Sequence, residues 1–567
     1  MSSCIPTDMP SPRIWKRRPQ GARTTSGAKR GRCTPSPRIR SSYKWTKSFI
    51  RRANKPFGGQ RMVQNRQLNR TSTPLDCFFQ FFNTAVLQFI VKMTNLNAVR
   101  KIQVAAVTKN IEEKEWKDVD VKEIKAFLGM IIAMGIIRLP NIHLYWQKKN
   151  WIFDVPSFNK IMPRDRFVEI HRYMHFCDEA LAPRSDDPKK DKLFKIRGLL
   201  SLLLPLFESC YKPGQDLSID ESLIPFKGRI SFRQFIKRKR ARFGIKVWVL
   251  AESSTGYVSR LKIYVGREPT AGPETGLSSR VVKYLINPFE GLYHRLYVDN
   301  FYTSPELFED LLSKGVFACG TFRSNSVVFP KDLIVTRVSA IPRGTSDWRV
   351  SNQLLAQSWV DNRVVYFLST FHEPEYDPAD TGKKTVKRKV RRGHLTDSIE
   401  IPCPPLLKDY NANMGGVDLS DQMRKYYNLT RRSRVWYRRI FSYLIEVAVH
   451  NARVVAENLS GRRWTGVDFR INLVTSLIGG HRASRRTSET ALASLARLQN
   501  TGLHFPVATK TQKRCPVCYK KSQVASAEEK ITVSRGTIKC TECNVNLCVR
   551  ENKNCFRDWH TKIEYWR

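Results

Sequence analysis

The apolar residues of this chain change their period part-way along it, and that change decides the fold class. Thr73 is a candidate N-cap, with Pro74 at the first helical position and Asp76 in the first turn. Behind it Phe78, Phe81, Phe82, Ala85, Val86, Phe89, Ile90 and Met93 recur at i, i+3 and i+4. That spacing predicts one helix of about five turns with a single core-facing side. Similar patterns at 121–137 and 164–176 make residues 73–210 a helical domain. Between Asp216 and Ile263 the period falls to two, in short runs separated by Gly and Ser, as strands are. The run Leu296, Tyr297, Val298 ends at Asp299, and a helical pattern starts at Pro305. That strand-then-helix order predicts an α/β core over 211–319. Residues 320–405 read as a β-rich insertion with a basic run at 383–392, and 406–460 as the last part of the core, with helix resuming near Val417. Residues 461–510 read as a polar linker, and 511–567 as a cysteine-rich module.

Charge narrows the partners. The 567 residues carry 98 Lys and Arg against 50 Asp and Glu, a formal charge of +48 spread along the chain. Each phosphate neutralised releases condensed counterions, so this surplus predicts a nucleic-acid partner, whereas an anionic membrane is usually met by one basic amphipathic helix. The longest apolar runs, 127–137 and 199–207, fall well short of the ~18–20 residues of a bilayer span, so no membrane partner is expected. Nor is a small-molecule substrate. The first thirty residues carry Arg13, Lys16, Arg17, Arg18, Arg23, Lys29 and Arg30 with no apolar block behind them. That pattern argues against a secretory signal and predicts a cytosolic or nuclear protein. Residues 1–72 read as a disordered basic arm, with Asp8 the single acid among the first 70.

Six of the 13 cysteines lie in the last 53 residues. Cys515-x-x-Cys518 and Cys540-x-x-Cys543 are followed by Cys548, Cys555 and His560, a spacing of zinc ligands. A disulfide scaffold needs an oxidising compartment, which the N-terminal composition argues against. Seven ligands fill one tetrahedral site and leave a second one short. A cross-braced arrangement gives Cys540, Cys543, Cys555 and His560 one ion, and Cys515, Cys518 and Cys548 the other. The eighth place is open to His504, to Glu551 or to no residue. Such zinc is structural, because four thiolate or imidazole ligands leave no position for substrate.

In so basic a chain the acids are informative. Asp220 and Asp299 each lie in or at the end of a strand-like run, and Asp418 and Asp421 lie three apart on a predicted helix. Phosphodiester chemistry with two divalent cations needs carboxylates brought together from separate elements. Singly, each Asp also suits a turn or a helix cap.

The blocks around these residues carry a resemblance. Ile219-Asp220-Glu221-Ser222, Phe226-Lys227-Gly228-Arg229, Phe243 to Lys246 and Val298-Asp299-Asn300 occur in one order, followed by Gly320 to Asn325, Leu368 to His372 and Asn413 to Met423. Together they resemble the piggyBac family of DNA transposases, from about Thr73 to the C-terminus. The resemblance implies a ribonuclease H-like catalytic core of the DDD type. It also implies a flanking helical domain for dimerisation and DNA binding, an insertion domain, and a C-terminal cross-brace zinc domain. Asp220, Asp299 and Asp418 match the three catalytic positions, and Asp421 matches an additional nearby Asp. The activity implied is cut-and-paste transposition through hairpin intermediates at TTAA targets, with two magnesium ions, by a nuclear homodimer acting on double-stranded DNA.

Between Arg424 and Arg439 lie seven Lys or Arg and no acid, mixed with Tyr426, Tyr427, Trp436 and Tyr437. Cations for phosphates and aromatic faces for bases suit distorted DNA. Arg431, Arg432, Arg434, Trp436 and Arg438 are the candidate contacts, while Tyr437 also suits a core position. A second reading keeps the architecture without the chemistry, as a transposase-derived protein that binds DNA and does not cut it.

Overall fold

The computed structural model describes residues 43–50, 54–65, 67–109, 115–147, 158–184, 187, 190–237, 241–266, 276–374, 385–392, 395–429, 431, 433–479, 481, 504–525, 531–562 and 564–566. Helix α1 (Pro74–Phe78) opens with a capping box, the Thr73 hydroxyl accepting from the Asp76 N–H and the Asp76 carboxylate from the Thr73 N–H. The five-turn helix expected here is broken after α1. The Asn83 side chain accepts from the Val86 N–H at 3.0 Å and starts α2 (Thr84–Lys109) afresh. The break has a packing reason, since Phe78, Phe81 and Phe82 are all fully buried. Phe81 meets Phe207 and Phe82 meets Phe441, which one straight helix face does not allow. Helices α3 (Val121–Ile136), α4 (Arg164–Tyr173) and α5 (Phe194–Cys210) complete the helical region.

The sheet begins with β1 (Asp216–Pro225), β2 (Phe243–Glu252) and β3 (Val258–Ile263). Helix α6 (Leu277–Ile286) then leads to β4 (His294–Val298), and α7 (Pro305–Ser313) to β5 (Val316–Thr321). Their order is β3-β2-β1-β4-β5, antiparallel across the first three and parallel from β1 through β4 to β5. Parallel neighbours need crossover connections, which α6 and α7 supply.

The sheet does not stop there. Strands β6 (Ser346–Ser351), β7 (Leu354–Val360) and β8 (Val364–Ser369) continue it beyond β5 in the order β8-β7-β6, all antiparallel. The expected insertion domain is therefore largely an extension of the core sheet, because pairing with β8 covers the edge that β5 would otherwise leave open. Among the described residues of this segment, only the hairpin β9 (Thr385–Arg392) and β10 (Leu395–Pro402) forms a sheet of its own. Helices α8 (Pro405–Asn413), α9 (Gly416–Lys425) and α10 (Trp436–Ser460) close the core.

Two expected boundaries shift. The supposed linker starts with α11 (Gly466–Ile478), capped by Thr465, whose hydroxyl accepts from the Asp468 N–H. Phe469, Leu473 and Leu477 are buried from this helix, which lies so close on α3 that a Cβ at Gly129 would come within 3.2 Å of Leu477. Residues 482–503 lie outside the described residues. In the basic arm, 1–42 likewise lie outside, but the described part is ordered on the core. Thr46 bridges Val350 of β6, Asn54 donates to the Phe371 carbonyl at 2.8 Å, and Met62–Val63 pairs with Tyr211–Lys212. Arg61 reaches the buried Glu252 at 2.7 Å. Among the described residues no helix is long and apolar enough to cross a membrane.

Candidate active site and nucleic-acid interface

Strand register places the first two aspartates. Ile219 of β1 lies opposite Val298 of β4 in the parallel pair, so the next residues, Asp220 in the middle of β1 and Asp299 just past the carboxyl end of β4, take neighbouring positions on adjacent strands. Such ends are where open α/β sheets hold ligands. Asp299 lies just past β4, its Oδ1 accepting from the Phe301 N–H at 2.9 Å and its carbonyl accepting from the Tyr302 N–H. Burial raises its carboxyl above the ordinary value, and the Glu221 charge adds to this, against the pull of Arg323 and Lys246. Burial, with the charges of Asp220 and Asp299 adding to it, raises the hydroxyls of both Tyr302 and Tyr410 above their ordinary values.

Helix α9 brings Asp418. Ser218, Asp220 and Ser222 share one face of β1 by the two-residue period, and α9 lies on that face. A Cβ at Gly416 would come within 2.6 Å of the Ser218 hydroxyl and 2.8 Å of the Glu252 carbonyl, so only glycine lets the helix start so close. One turn on, the Ser222 hydroxyl donates to Asp421 at 2.7 Å. Asp418 lies between these two contacts along the helix and is exposed. Asp220, Asp299 and Asp418 supply the hard oxygen donors that magnesium prefers, from three separate elements. Among the described residues they do not form a group with ligand atoms all within 4.8 Å of one another. A pair of ions a few Å apart asks for ligands spread over two coordination spheres, and these donors fit that requirement by chemistry and by strand position.

Asp421, expected in support of the metal ligands, is occupied otherwise. It is buried, ion-paired with Arg424 and within 3.5 Å of the Lys425 ammonium. Arg424 in turn reaches Glu446 at 3.6 Å and lies 4.3 Å over the Tyr443 ring. Burial pushes the Glu446 carboxyl up to about 7, and Asp421 is the nearer counter-charge for Arg424. Asp421→Ala is expected to lower unfolding stability by about 3–5 kcal/mol, because it strips a buried guanidinium of its main partner. The shift of the urea midpoint measures this, and a stability change near zero would return Asp421 to the metal site.

The basic candidates separate by direction. Arg431 turns inward, donating to the Tyr145 hydroxyl at 2.7 Å, and Arg438 donates to the Arg172 carbonyl. Trp436 is half-buried, edge-on to Phe232 at 5.5 Å, and Tyr437 is buried. Arg432 lies outside the described residues. Arg434 alone among the described candidates opens into a cleft of about 1700 Å³, where it meets Lys227, Arg229, Arg233, Arg242 and Arg439 with no acid in the lining. Phe243 lines the same cleft, with the Arg233 guanidinium 5.1 Å over its ring and the exposed Phe235 beside it at 4.9 Å. The lining cations Lys227, Arg229, Arg233 and Arg242 were not among the expected contacts, although their interleaving with Phe226, Phe232, Phe235 and Phe243 is visible in the sequence. The cleft begins at Pro225, the end of the strand that carries Asp220.

The C-terminal module is built from β11 (Pro506–Arg514), α12 (Pro516–Val524), β12 (Arg535–Cys540), β13 (Asn546–Leu547) and α13 (Cys555–Thr561). It gathers eight donors into two groups, Cys515, Cys518, Cys548 and Cys555 in one, His504, Cys540, Cys543 and His560 in the other. Sulfur separations of 3.3–3.7 Å in the first group suit thiolates around one ion, and these cysteines are not bonded to one another. In the second, the His504 Nδ1 lies 3.4 Å from the Cys540 Sγ and 3.3 Å from the Cys543 Sγ. The His560 Nδ1 faces the Phe556 carbonyl at 2.8 Å, which leaves Nε2 for a metal. This corrects the expected pairing. Cys555 and His560 are five apart on one helix, about 140° apart around its axis, so they face different sites, and α13 is the brace between them. His504 takes the open eighth place, and Glu551 is not in either group. The residues fit two zinc ions.

A family model described as Transposase IS4 matches residues 73–453. The chain is 28% identical over 505 residues to PiggyBac transposable element-derived protein 3 of Homo sapiens, covering 86% of this chain and 76% of that protein. It is 26% identical over 438 residues to PiggyBac transposable element-derived protein 5 of Homo sapiens, covering 74% of this chain and 78% of that one. A cryo-EM structure of a piggyBac transposase synaptic complex with hairpin DNA matches with a TM-score of 0.66 at 24% identity, covering 88% of this chain and 99% of that chain. That likeness carries the fold, and it makes the β3-β2-β1-β4-β5 sheet a ribonuclease H-like core. With the family match spanning more than half of the sequence, this chain belongs to the piggyBac family of transposases and transposable element-derived proteins.

Proposed function

We propose that this chain is a nuclear, dimeric cut-and-paste DNA transposase that binds terminal inverted repeats, cleaves the strands, forms hairpin ends and transfers them into TTAA-like targets. The observation that carries this reading is the strand register that sets Asp220, in the middle of β1, next to Asp299, just past the end of β4, beside a cleft whose described lining holds six cations and no acid. The cleft cations neutralise backbone phosphates, and Phe243 and Phe235 offer faces on which unpaired bases stack. Asp220, Asp299 and Asp418 would hold two magnesium ions, which would supply Lewis acidity to the phosphodiester. Lys246, which pairs with Glu221 at 2.7 Å, steadies the acidic stretch of β1 that carries Asp220. The zinc groups maintain the fold of the C-terminal module and present its basic surface to DNA. The hairpin and the synaptic pairing come to this reading from the solved relative, whose complex contains hairpin DNA.

A second reading is favoured by the names of the human relatives, which are called transposable element-derived. It keeps DNA binding and drops transposition. Plasmid excision in cells decides between them, using the DNA flanking this reading frame as candidate ends. Seamless donor repair with the wild type, absent with Asp418→Ala, is the expected result. No excision, together with a gel shift specific for the same ends, would establish the DNA-binding protein instead.

A further inference from the structure

The segment between α4 and the turn at Glu179–Leu181 holds three metal-type donors that neither the acidic site nor the zinc module uses. His175, Cys177 and Glu179 come together where the chain bends at Phe176 and Cys177 and turns at Glu179, while Phe176 and Asp178 make their contacts on another side. The opposite side is accounted for, Phe176 packing 4.6 Å from Phe441 and Asp178 pairing with Arg100. On the near side the three donor atoms all lie within 4.8 Å of one another. The His175 Nε2 is 2.9 Å from the Glu179 Oε1 and 3.3 Å from the Cys177 Sγ.

Hydrogen bonding alone leaves this arrangement half explained. One Nε2 carries at most one proton and can serve either the carboxylate or the sulfur. A cation among the three satisfies both contacts at once. The outer contact is also in place, because the His175 Nδ1 lies 3.0 Å from the Tyr437 hydroxyl, which can take the Nδ1 proton and leave the Nε2 lone pair toward Cys177 and Glu179. His175 and Cys177 are buried, and Glu179 is half-exposed, so the open side of the trio faces water.

We infer that His175, Cys177 and Glu179 form a third zinc site, with water in the fourth position, that ties the helical domain to the start of α10. Nitrogen, sulfur and oxygen donors in this number match zinc in a site with an open position. Tyr437 stands between Trp436 and Arg438, so the ion fixes the segment from which Arg434 enters the cationic cleft. Lys195 sits 2.8 Å from the Glu179 Oε1 and opposes a cation there, so this zinc is held less tightly than the C-terminal pair.

The test is zinc content of the full-length protein after saturation with zinc and gel filtration, followed by chelator competition. Three zinc ions per chain are expected in the wild type, one of them lost first to a weak chelator. Cys177→Ser is expected to leave two. Because Cys177 is buried and its variant risks misfolding, Glu179→Gln, at a half-exposed position, provides a second arm. It is expected to fold and to weaken the third ion by about tenfold or more. Two ions per chain in the wild type would overturn the inference. So would three ions whose chelation is unaltered in a folded Glu179→Gln protein.

Discussion

Asp299→Asn is expected to abolish DNA strand cleavage while leaving the protein as stable as the wild type or slightly more so. The loss follows from the role proposed for the carboxylate. Charge stabilisation of several kcal/mol by a metal ion, at about 1.4 kcal/mol per factor of ten, makes removal of one ligand cost roughly a thousandfold or more in rate. The stability arm follows from a different property. Burial and the neighbouring Glu221 raise the carboxyl of Asp299 in the folded state, so folding binds a proton in the window above the ordinary carboxylate value. Stability from this group therefore falls as pH rises through that window, and at neutral pH the charged form works against folding. Asparagine removes the charge and keeps an oxygen for the Phe301 N–H. Cleavage of end-bearing DNA in magnesium, paired with urea midpoints at neutral pH, reads both arms. Residual cleavage near the wild-type rate would remove Asp299 from the metal site. A marked stability loss would make it a structural group like Asp421.

How much of this was legible beforehand depends on the range of the interaction. Local signals held. The Thr73 cap, the helix that starts at Pro305 and the strand that ends before Asp299 were all visible as spacing and residue type. The α11 cap at Thr465 and the buried series Phe469, Leu473, Leu477 were equally local and were hidden only by the polar residues around them. Long-range pairing was not legible. Nothing near residue 364 says that β8 joins β5, since strand pairing is settled by which edge is left open. Charge showed the same limit. Composition counts Arg431, Arg434 and Arg438 alike, yet Tyr145 and the Arg172 carbonyl claim two of them and the cleft receives the third. The two-residue period placed Asp220 on a face with Ser218 and Ser222, but only the packing of Gly416 says which helix covers that face.

Cys555→Ser is expected to destabilise the C-terminal module by eliminating its four-thiolate site while the second site still takes up metal. The reason is the size of its core. Apart from cysteines, its fully enclosed apolar side chains are Val517, Leu547, Trp559 and Tyr565, far too few to hold two short helices and a three-stranded sheet together. Structural zinc in such small folds contributes on the order of 10–16 kcal/mol of apparent binding free energy, so folding and metal loading are coupled. Cobalt substitution separates the two groups, because a four-sulfur site and a site with two sulfurs and two imidazoles differ in their ligand-to-metal bands. With Cys555 on the ion of Cys515, Cys518 and Cys548, its replacement removes the four-sulfur spectrum, and His560→Ala removes the other. The opposite assignment, Cys555 with His560, predicts that both substitutions erase the same spectrum. Hydrogen exchange locates the damage, with protection expected to fall in Arg535–Cys540 and to persist in Phe243–Glu252, because the core sheet owes nothing to these ligands. Loss of protection in both strands would make the module part of one cooperative unit with the core, and its zinc ions would then be holding the catalytic sheet as well.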